Sequence, residues 1–309
     1  MTGTDPTAAP ERPTRCGFVA IVGAPNAGKS TLLNRLVGHK VSIVSPKVQT
    51  TRRRIIGITT RDDAQILFVD TPGIFPPRRN LEKAMVRAAW EGVQDADLAV
   101  VVVDSRKGLD SAARHVIEGL RERKIPAFLV LNKLDLVEPP RTLPLIAQAN
   151  ELLPFERTFI VSALGGSGCG DILDAVAARI PQGPWLFPAD QLSDLTDRAL
   201  AAEITREQIF LRLREELPYA VTVETEAWTE SKDGKEVRID QVIYVQRDGQ
   251  KAILIGKGGQ QLKAIGTSAR EELERLFQVR VHLFLFVKVR PDWPDDPERY
   301  AELGLDFPR

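Results

Sequence analysis

Over the first 180 residues, short apolar runs alternate with segments of helical period. Runs rich in Val, Ile and Leu at 17–22, 54–60, Ala64–Asp70, Leu98–Asp104, Ala127–Asn132 and 158–162 predict strands. Helical periods predict helices over Lys29–Val37, 81–93, Ser111–Arg123, 143–152 and 170–180. Strands apolar on both faces and separated by helices predict a mostly parallel sheet covered on two sides. The runs 54–60 and Ala64–Asp70 are split only by Arg61, Asp62 and Asp63, which predicts a hairpin and one antiparallel edge strand.

At Pro181 the pattern changes. Residues 181–188 carry three prolines, as suits an extended connector, and the domain boundary is placed within 181–194. Beyond it the order is a helix (196–217), two strands (220–229, 236–247), a glycine-broken helical stretch (252–277) and a strand (Arg280–Val289). That is an α+β unit. The expected layout is a polar, disordered tail over 1–14, an α/β domain over 15–181, a linker over 182–195, a smaller α+β domain over 196–290 and a C-terminal tail over 291–309.

Composition adds little. The 42 Lys and Arg balance 42 Asp and Glu, so any nucleic-acid surface must be local. Cys16 and Cys169, far apart, read as two reduced thiols rather than a disulfide framework or metal site. The start lacks the pattern of a signal peptide, and no run approaches the ~18 apolar residues that cross a bilayer. A cytoplasmic protein is expected.

The candidate chemistry sits at strand ends. Gly23, Ala24, Pro25, Asn26, Ala27, Gly28, Lys29 and Ser30 form a complete G-x-x-x-x-G-K-S/T match after an apolar strand, and Thr31 continues into a helix. Such a loop turns backbone N–H groups around a β-phosphate, and the helix N-terminus adds positive charge. Lys29 would neutralise β/γ oxygens, and the Ser30 hydroxyl would bind Mg²⁺. Asp70, Thr71, Pro72 and Gly73 end another strand 41 residues after Lys29. Asp70 there would hold the magnesium through its water shell, while the Gly73 N–H meets a γ-phosphate.

Asn132, Lys133 and Asp135 follow the strand Ala127–Asn132, and Ser162, Ala163 and Leu164 stand at the next strand end. A carboxylate at Asp135 accepts both the ring N–H and the exocyclic amine of guanine, a donor pair that adenine lacks. A backbone N–H from Ser162–Leu164 would meet the guanine oxygen. These four elements, in this order, resemble the GTPase superfamily over residues 16–180, which implies GTP as substrate and GDP as product.

Residues 40–54 lack periodicity and suit a loop ordered by γ-phosphate and magnesium. The resemblance implies Thr51 as a second magnesium hydroxyl, with Thr50 the rival. Ile74 and Phe75 stand where Ras-like GTPases place a water-orienting Gln, so slow intrinsic hydrolysis is expected. The sequence alone assigns no arginine finger; Arg52, Arg53 and Arg54 are the candidates for one. Asn26 matches a position that in related GTPases helps bind potassium. Lys29, Thr51, Gly73 and Asn26 are therefore the expected catalytic set.

In the second domain, Ile255, Gly256, Lys257, Gly258 and Gly259 contain G-x-x-G at a helix–helix junction. Bare glycines let a sugar-phosphate backbone approach, Lys257 adds charge, and Lys263 and Arg270 follow along the next helix. From Gly256 to Arg290 there are seven Lys and Arg against three Glu, a local basic excess in a neutral chain. The α-β-β-α-α-β order matches a type II K-homology (KH) domain. Phe284 and Phe286 share one face of the last strand; cover by the tail, with Trp293 and Tyr300, is the favoured expectation, and base stacking the alternative.

One GTPase domain, a proline-containing connector and a C-terminal KH domain together resemble the Era GTPase family over almost the whole chain. Local matches are Val48, Gln49, Thr50, Thr51 and Arg52, and Ile255 to Gly266. The resemblance implies a monomeric GTPase that binds the single-stranded 3′ end of small-subunit ribosomal RNA and assists late maturation of the small ribosomal subunit. It also implies peripheral contact with the inner face of the cell membrane. A metabolic P-loop kinase is disfavoured by the guanine reader, and a pure RNA binder by the intact phosphate loop. A tandem GTPase is disfavoured by the single loop. GTP and RNA are expected to tighten each other's binding.

Overall fold

The computed structural model describes residues 13–47, 50–77, 79–138, 140, 142–213 and 217–307. The expected tail over 1–14 therefore lies almost wholly outside the described residues, as do Val48 and Gln49 of the local match.

The first domain runs β1 (Arg15–Gly23), α1 (Lys29–Val37), β2 (Ile55–Arg61), β3 (Ala64–Asp70), α2 (Asn80–Gln94), β4 (Leu98–Asp104), α3 (Ser111–Arg123), β5 (Ala127–Asn132), α4 (Thr142–Leu152), β6 (Arg157–Ile160) and α5 (Cys169–Arg179). The six strands lie in the order β2-β3-β1-β4-β5-β6. All pair in parallel except β2, which lies antiparallel along β3 as the expected hairpin. Every residue of β3, β4 and β5 is buried, as strands covered on both faces must be. One core cluster packs α1 and α5 on one face, and a second packs α2, α3 and α4 on the other. The chain departs from β1 first toward β3 and later toward β4. The carboxyl end of β1 is thus a switch point, where ligands of such sheets bind.

The second domain runs α6 (Asp197–Arg212), β7 (Val221–Glu230), β8 (Glu236–Val245), α7 (Asp248–Ile255), α8 (Gln260–Phe277), β9 (Arg280–Val289) and a short α9 (Pro297–Glu302). Its sheet has the order β7-β8-β9, with β8 and β9 parallel. The helices α6, α7 and α8 cover one face. Helix α7 starts earlier than its periodicity predicts because the Gln250 side chain accepts from the Gln246 and Arg247 N–H groups at 2.9 and 3.1 Å. That cap ends β8 at Val245. The architecture is thus a P-loop α/β domain followed by a smaller α+β unit of type II KH topology.

The connector runs along the first domain: the Ile58 N–H donates to the Leu192 carbonyl at 2.8 Å, and the Asp194 carboxylate accepts from the Ile56 N–H at 2.9 Å. It covers part of the open edge of β2. One expectation needs correction: the C-terminal tail does not cover Phe284 and Phe286, which stay exposed. Trp293 is buried against the Ala220 carbonyl, and Tyr300 and Leu305 pack on Ala84 and Met85 of α2. The tail's large apolar groups find a drier site between the domains than on the sheet face.

Candidate nucleotide site and nucleic-acid groove

Strand β1 delivers Gly23, and the loop 24–28 delivers the first turn of α1. Gly28 has φ 100°, and a Cβ there would meet Asn132 Nδ2 at 2.3 Å, so only glycine lets the loop close on the end of β5. The Lys29 ammonium is buried and donates to the Gly23 and Ala24 carbonyls at 3.1 Å each. Burial lowers its pKa to about 8 against the raising pull of Asp70. Pro25, Asn26, Thr31, Ser45 and Gly73 line the same cavity.

The expected cation ligands converge. The Ser30 hydroxyl donates to Asp70 Oδ2 at 2.8 Å and lies 3.0 Å from the Thr51 hydroxyl, which stands 3.4 Å from the same oxygen. Thr50 turns away, bonding Ser45 and the Lys47 carbonyl. Ser42, which sequence reasoning missed, adds a third hydroxyl at 2.9 Å. Burial raises the Asp70 pKa, opposed by Lys29 and by the three hydroxyls. Its Oδ1 is buried without a hydrogen-bond partner. An orphaned carboxylate oxygen beside two converging hydroxyls fits a hard, oxygen-seeking divalent cation. Thr71 has a different task, donating to the Ile21 carbonyl at 3.0 Å. Ile74 is buried in the core below α3 and cannot orient water.

At the end of β5, Asn132 joins three segments: its amide donates to the Ala27 carbonyl at 2.9 Å, and its oxygen accepts from the Lys133 and Ala163 N–H groups. Lys133, at φ 67°, spans from the Asn26 carbonyl (2.6 Å) to Asp104 (2.7 Å). Burial works to raise the Asp104 pKa, but hydrogen bonds from Arg106 and Lys133 outweigh it and hold it at about 2. The Ser162 hydroxyl donates to Asp135 at 2.5 Å, and Arg35 holds the Ala163 and Leu164 carbonyls. Asp104, Arg106 and Arg35 were invisible to motif reading. Asp104 ends a strand, the one signal that would have flagged it.

The loop following α1 is tied to the second domain. Lys40 bridges Glu207 (2.6 Å) and Glu272 (3.0 Å), the Val44 N–H donates to Glu207 at 2.8 Å, and Lys47 donates to the carbonyls of Phe210 and Leu213. Arg52 is no arginine finger. Its guanidinium is buried against the Val221, Tyr219 and Pro218 carbonyls, and burial with Arg206 nearby lowers its pKa to about 9.

In the second domain, Ile255 ends α7 and Gly256 turns the chain at φ 72°, where a Cβ would lie 2.6 Å from that of Gln261. Lys257 and Gly258 stand exposed at the tip. Gly259, Lys263, Arg270, Leu262 and Leu285 line a groove that runs from this tip between α8 and β9. Arg270 is partly neutralised by Glu274 at 2.8 Å, whereas Lys263 is exposed.

A phosphate loop with a buried lysine, a carboxylate ringed by hydroxyls and a strand-end Asp beside a Ser–Ala turn define a P-loop GTPase; the second domain makes it a GTPase with a type II KH domain. Family models agree: that of the 50S ribosome-binding GTPases matches residues 18–133, and that of the KH domain matches 216–294. GTPase Era of Sinorhizobium medicae is 60% identical over 303 residues, covering 98% of this chain and 97% of that protein. GTPase Era of Brucella suis is 57% identical over 295 residues, covering 96% and 94%. Two solved structures are 38% identical with TM-score 0.89, each covering 94% of this chain and 99% of its own. One is Era in complex with MgGDPNP and nucleotides 1506–1542 of 16S ribosomal RNA; the other is a point variant of Aquifex aeolicus Era bound to GDP·AlF4⁻. The chain belongs to the Era family of GTPases.

Proposed function

We propose that this GTPase is a nucleotide-controlled switch that binds the single-stranded 3′ end of small-subunit ribosomal RNA through its KH groove and assists maturation of that subunit in the cytoplasm. The observation that carries the reading is Glu207. It lies on the first helix of the KH domain and takes both Lys40 and the Val44 N–H of the loop that precedes Thr51. Nucleotide state and RNA-domain position are thereby joined. The complex of Era with nucleotides 1506–1542 of 16S ribosomal RNA supports the choice of ligand.

Ser30, Thr51 and Asp70 would hold Mg²⁺, which would supply positive charge against the nucleotide phosphates. Lys29 leaves its two carbonyl partners to meet phosphate oxygens, and the Gly73 N–H faces the γ-phosphate. Asp135 selects guanine. The buried Ile74 cannot position a water, which makes unassisted turnover slow. At the loop, Asn26 donates to the Pro46 carbonyl at 2.9 Å, linking phosphate loop to switch where a potassium ion would add charge. Equal turnover in sodium and potassium buffers would remove that ion from the scheme.

The test of the whole reading is binding of an RNA with the sequence 1506–1542 of 16S ribosomal RNA to chains loaded with GDP or a non-hydrolysable GTP analogue. Tighter binding with the analogue is expected. Failure to bind in either state refutes the RNA function.

A further inference from the structure

Phe284 and Phe286 are 43% and 51% exposed on the outer face of β9, away from the helices. Among the described residues, strand β9 pairs only with β8, so its other edge is open. Residues two apart on a strand point to one side, about 6.6 Å from each other. The two rings thus stand in a row along an open edge. Opposite them on β8 lie Asp240 and Val242. The Arg238 guanidinium sits over the Phe284 ring at 4.7 Å while pairing with Asp240, and Lys288 pairs with Glu226 at 3.0 Å. Phe284 also lines the groove that contains Gly259, Lys263 and Arg270. The aromatic row therefore begins at the rim of that groove and leads out of it.

From this continuity we propose that the outer face of β9 is a second RNA subsite, where bases of the strand leaving the KH groove stack on Phe284 and Phe286. The inference rests on the RNA-binding reading above and extends its footprint around the sheet edge. The glycine-rich loop accounts for about four nucleotides, so a longer single strand must pass over one rim of the groove. Aromatic rings on a sheet face take successive bases whatever their sequence, because every base has a π-face. Arg238, already stacked on one ring, can extend such a stack or meet a phosphate once a base competes for Phe284.

The test measures binding of full-length, GTP-analogue-loaded protein to fluorescent RNA of sequence 1506–1542 of 16S ribosomal RNA. Wild type, the Phe284→Leu/Phe286→Leu double variant and the Phe284→Tyr/Phe286→Tyr double variant are compared. Leucine keeps apolar cover over Val242 but removes the π-face; tyrosine keeps the ring. The leucine pair should weaken binding about fivefold or more, the loss expected if even one base stacks on the pair. The tyrosine pair should bind within about twofold of wild type. Circular dichroism melts check that all three chains are folded. Undiminished binding by the leucine pair overturns the outer-face site alone, and equal weakening by both pairs overturns stacking. Absence of binding by wild type instead removes the RNA reading and this subsite with it.

Discussion

Arg206, on the first helix of the KH domain, donates to the Thr50 carbonyl at 2.7 Å, one residue before the Thr51 hydroxyl that stands 3.0 Å from Ser30. A movement of Thr51 toward a cation would therefore pull on α6 through one peptide unit. Glu203 holds the same guanidinium, so the contact belongs to a buried, charged hinge. Coupling between two sites is reciprocal and typically amounts to about 1–3 kcal/mol, or roughly five- to 150-fold in affinity. Removing both charges together, in Glu203→Gln/Arg206→Met, avoids leaving one buried ion unpaired. The ratio of RNA affinities in the GTP-analogue and GDP states should collapse toward one in that variant, with nucleotide affinity itself little changed. A ratio equal to wild type would show that the coupling runs elsewhere.

Much of this is legible in the sequence, and the limits have physical causes. The phosphate loop, Asp70, Asn132 and Asp135 are read at strand ends because close backbone approach to a ligand demands specific residues at fixed spacing. Ser42, Asp104 and Arg35 escape because side chains that support others need only the right place in space, not a spacing along the chain. Arg52, one of three arginines open to a role as a finger, is an interdomain anchor, since nothing in a basic tripeptide reveals which carbonyls await it. The tail is expected on the KH sheet, but Trp293 and Tyr300 follow the deeper burial available against the GTPase domain. Interdomain packing leaves no local periodicity to read.

Lys29 gives nucleotide binding a pH dependence of defined sign. Its pKa is lowered to about 8 by burial, so it loses its charge in the free chain as pH rises through that value. Bound phosphates favour the ammonium form, which raises the pKa in the complex. Binding above about pH 8 must therefore take up a proton. Affinity for GDP should be flat below about pH 7 and fall by about tenfold per pH unit well above about 8. Calorimetry in buffers of different ionisation enthalpy should show uptake approaching one proton at about pH 9. A Lys29→Met variant should bind far more weakly and lose this proton uptake; persistence of the uptake would assign it to another group.

Asp135 should determine the base. Its carboxylate is fixed by the Ser162 hydroxyl, leaving its remaining acceptor capacity for the two guanine donors. In Asp135→Asn the amide presents a donor where guanine also presents one, and GDP affinity should fall by about a hundredfold or more. Xanthosine diphosphate carries a carbonyl at that position and should gain what guanine loses. Competition binding with the two diphosphates measures the inversion. Retention of guanine preference in the variant would mean that the Ser162–Leu164 turn, rather than the carboxylate, reads the base.

The C-terminal segment should behave as a structural strap rather than a dispensable tail. Trp293 is 1% exposed, donates its indole N–H to the Ala220 carbonyl at 3.2 Å, and lies 5.9 Å from the Arg52 guanidinium. Further along, Tyr300 and Leu305 close over Ala84 and Met85 on α2, the helix that follows the Asp70–Gly73 turn. The strap therefore touches the segments that follow Thr51 and Gly73. Truncating a buried Trp to Ala typically costs about 3–5 kcal/mol. Trp293→Ala should lower the thermal midpoint of the KH domain and speed amide exchange around Arg52. Tyr300→Ala leaves that anchor in place and should instead speed exchange within α2. Because the two substitutions act on opposite ends of one segment, their exchange footprints separate the roles. Unchanged protection of α2 in Tyr300→Ala would show that the helix is held by its own sheet, and that the strap serves the KH domain alone.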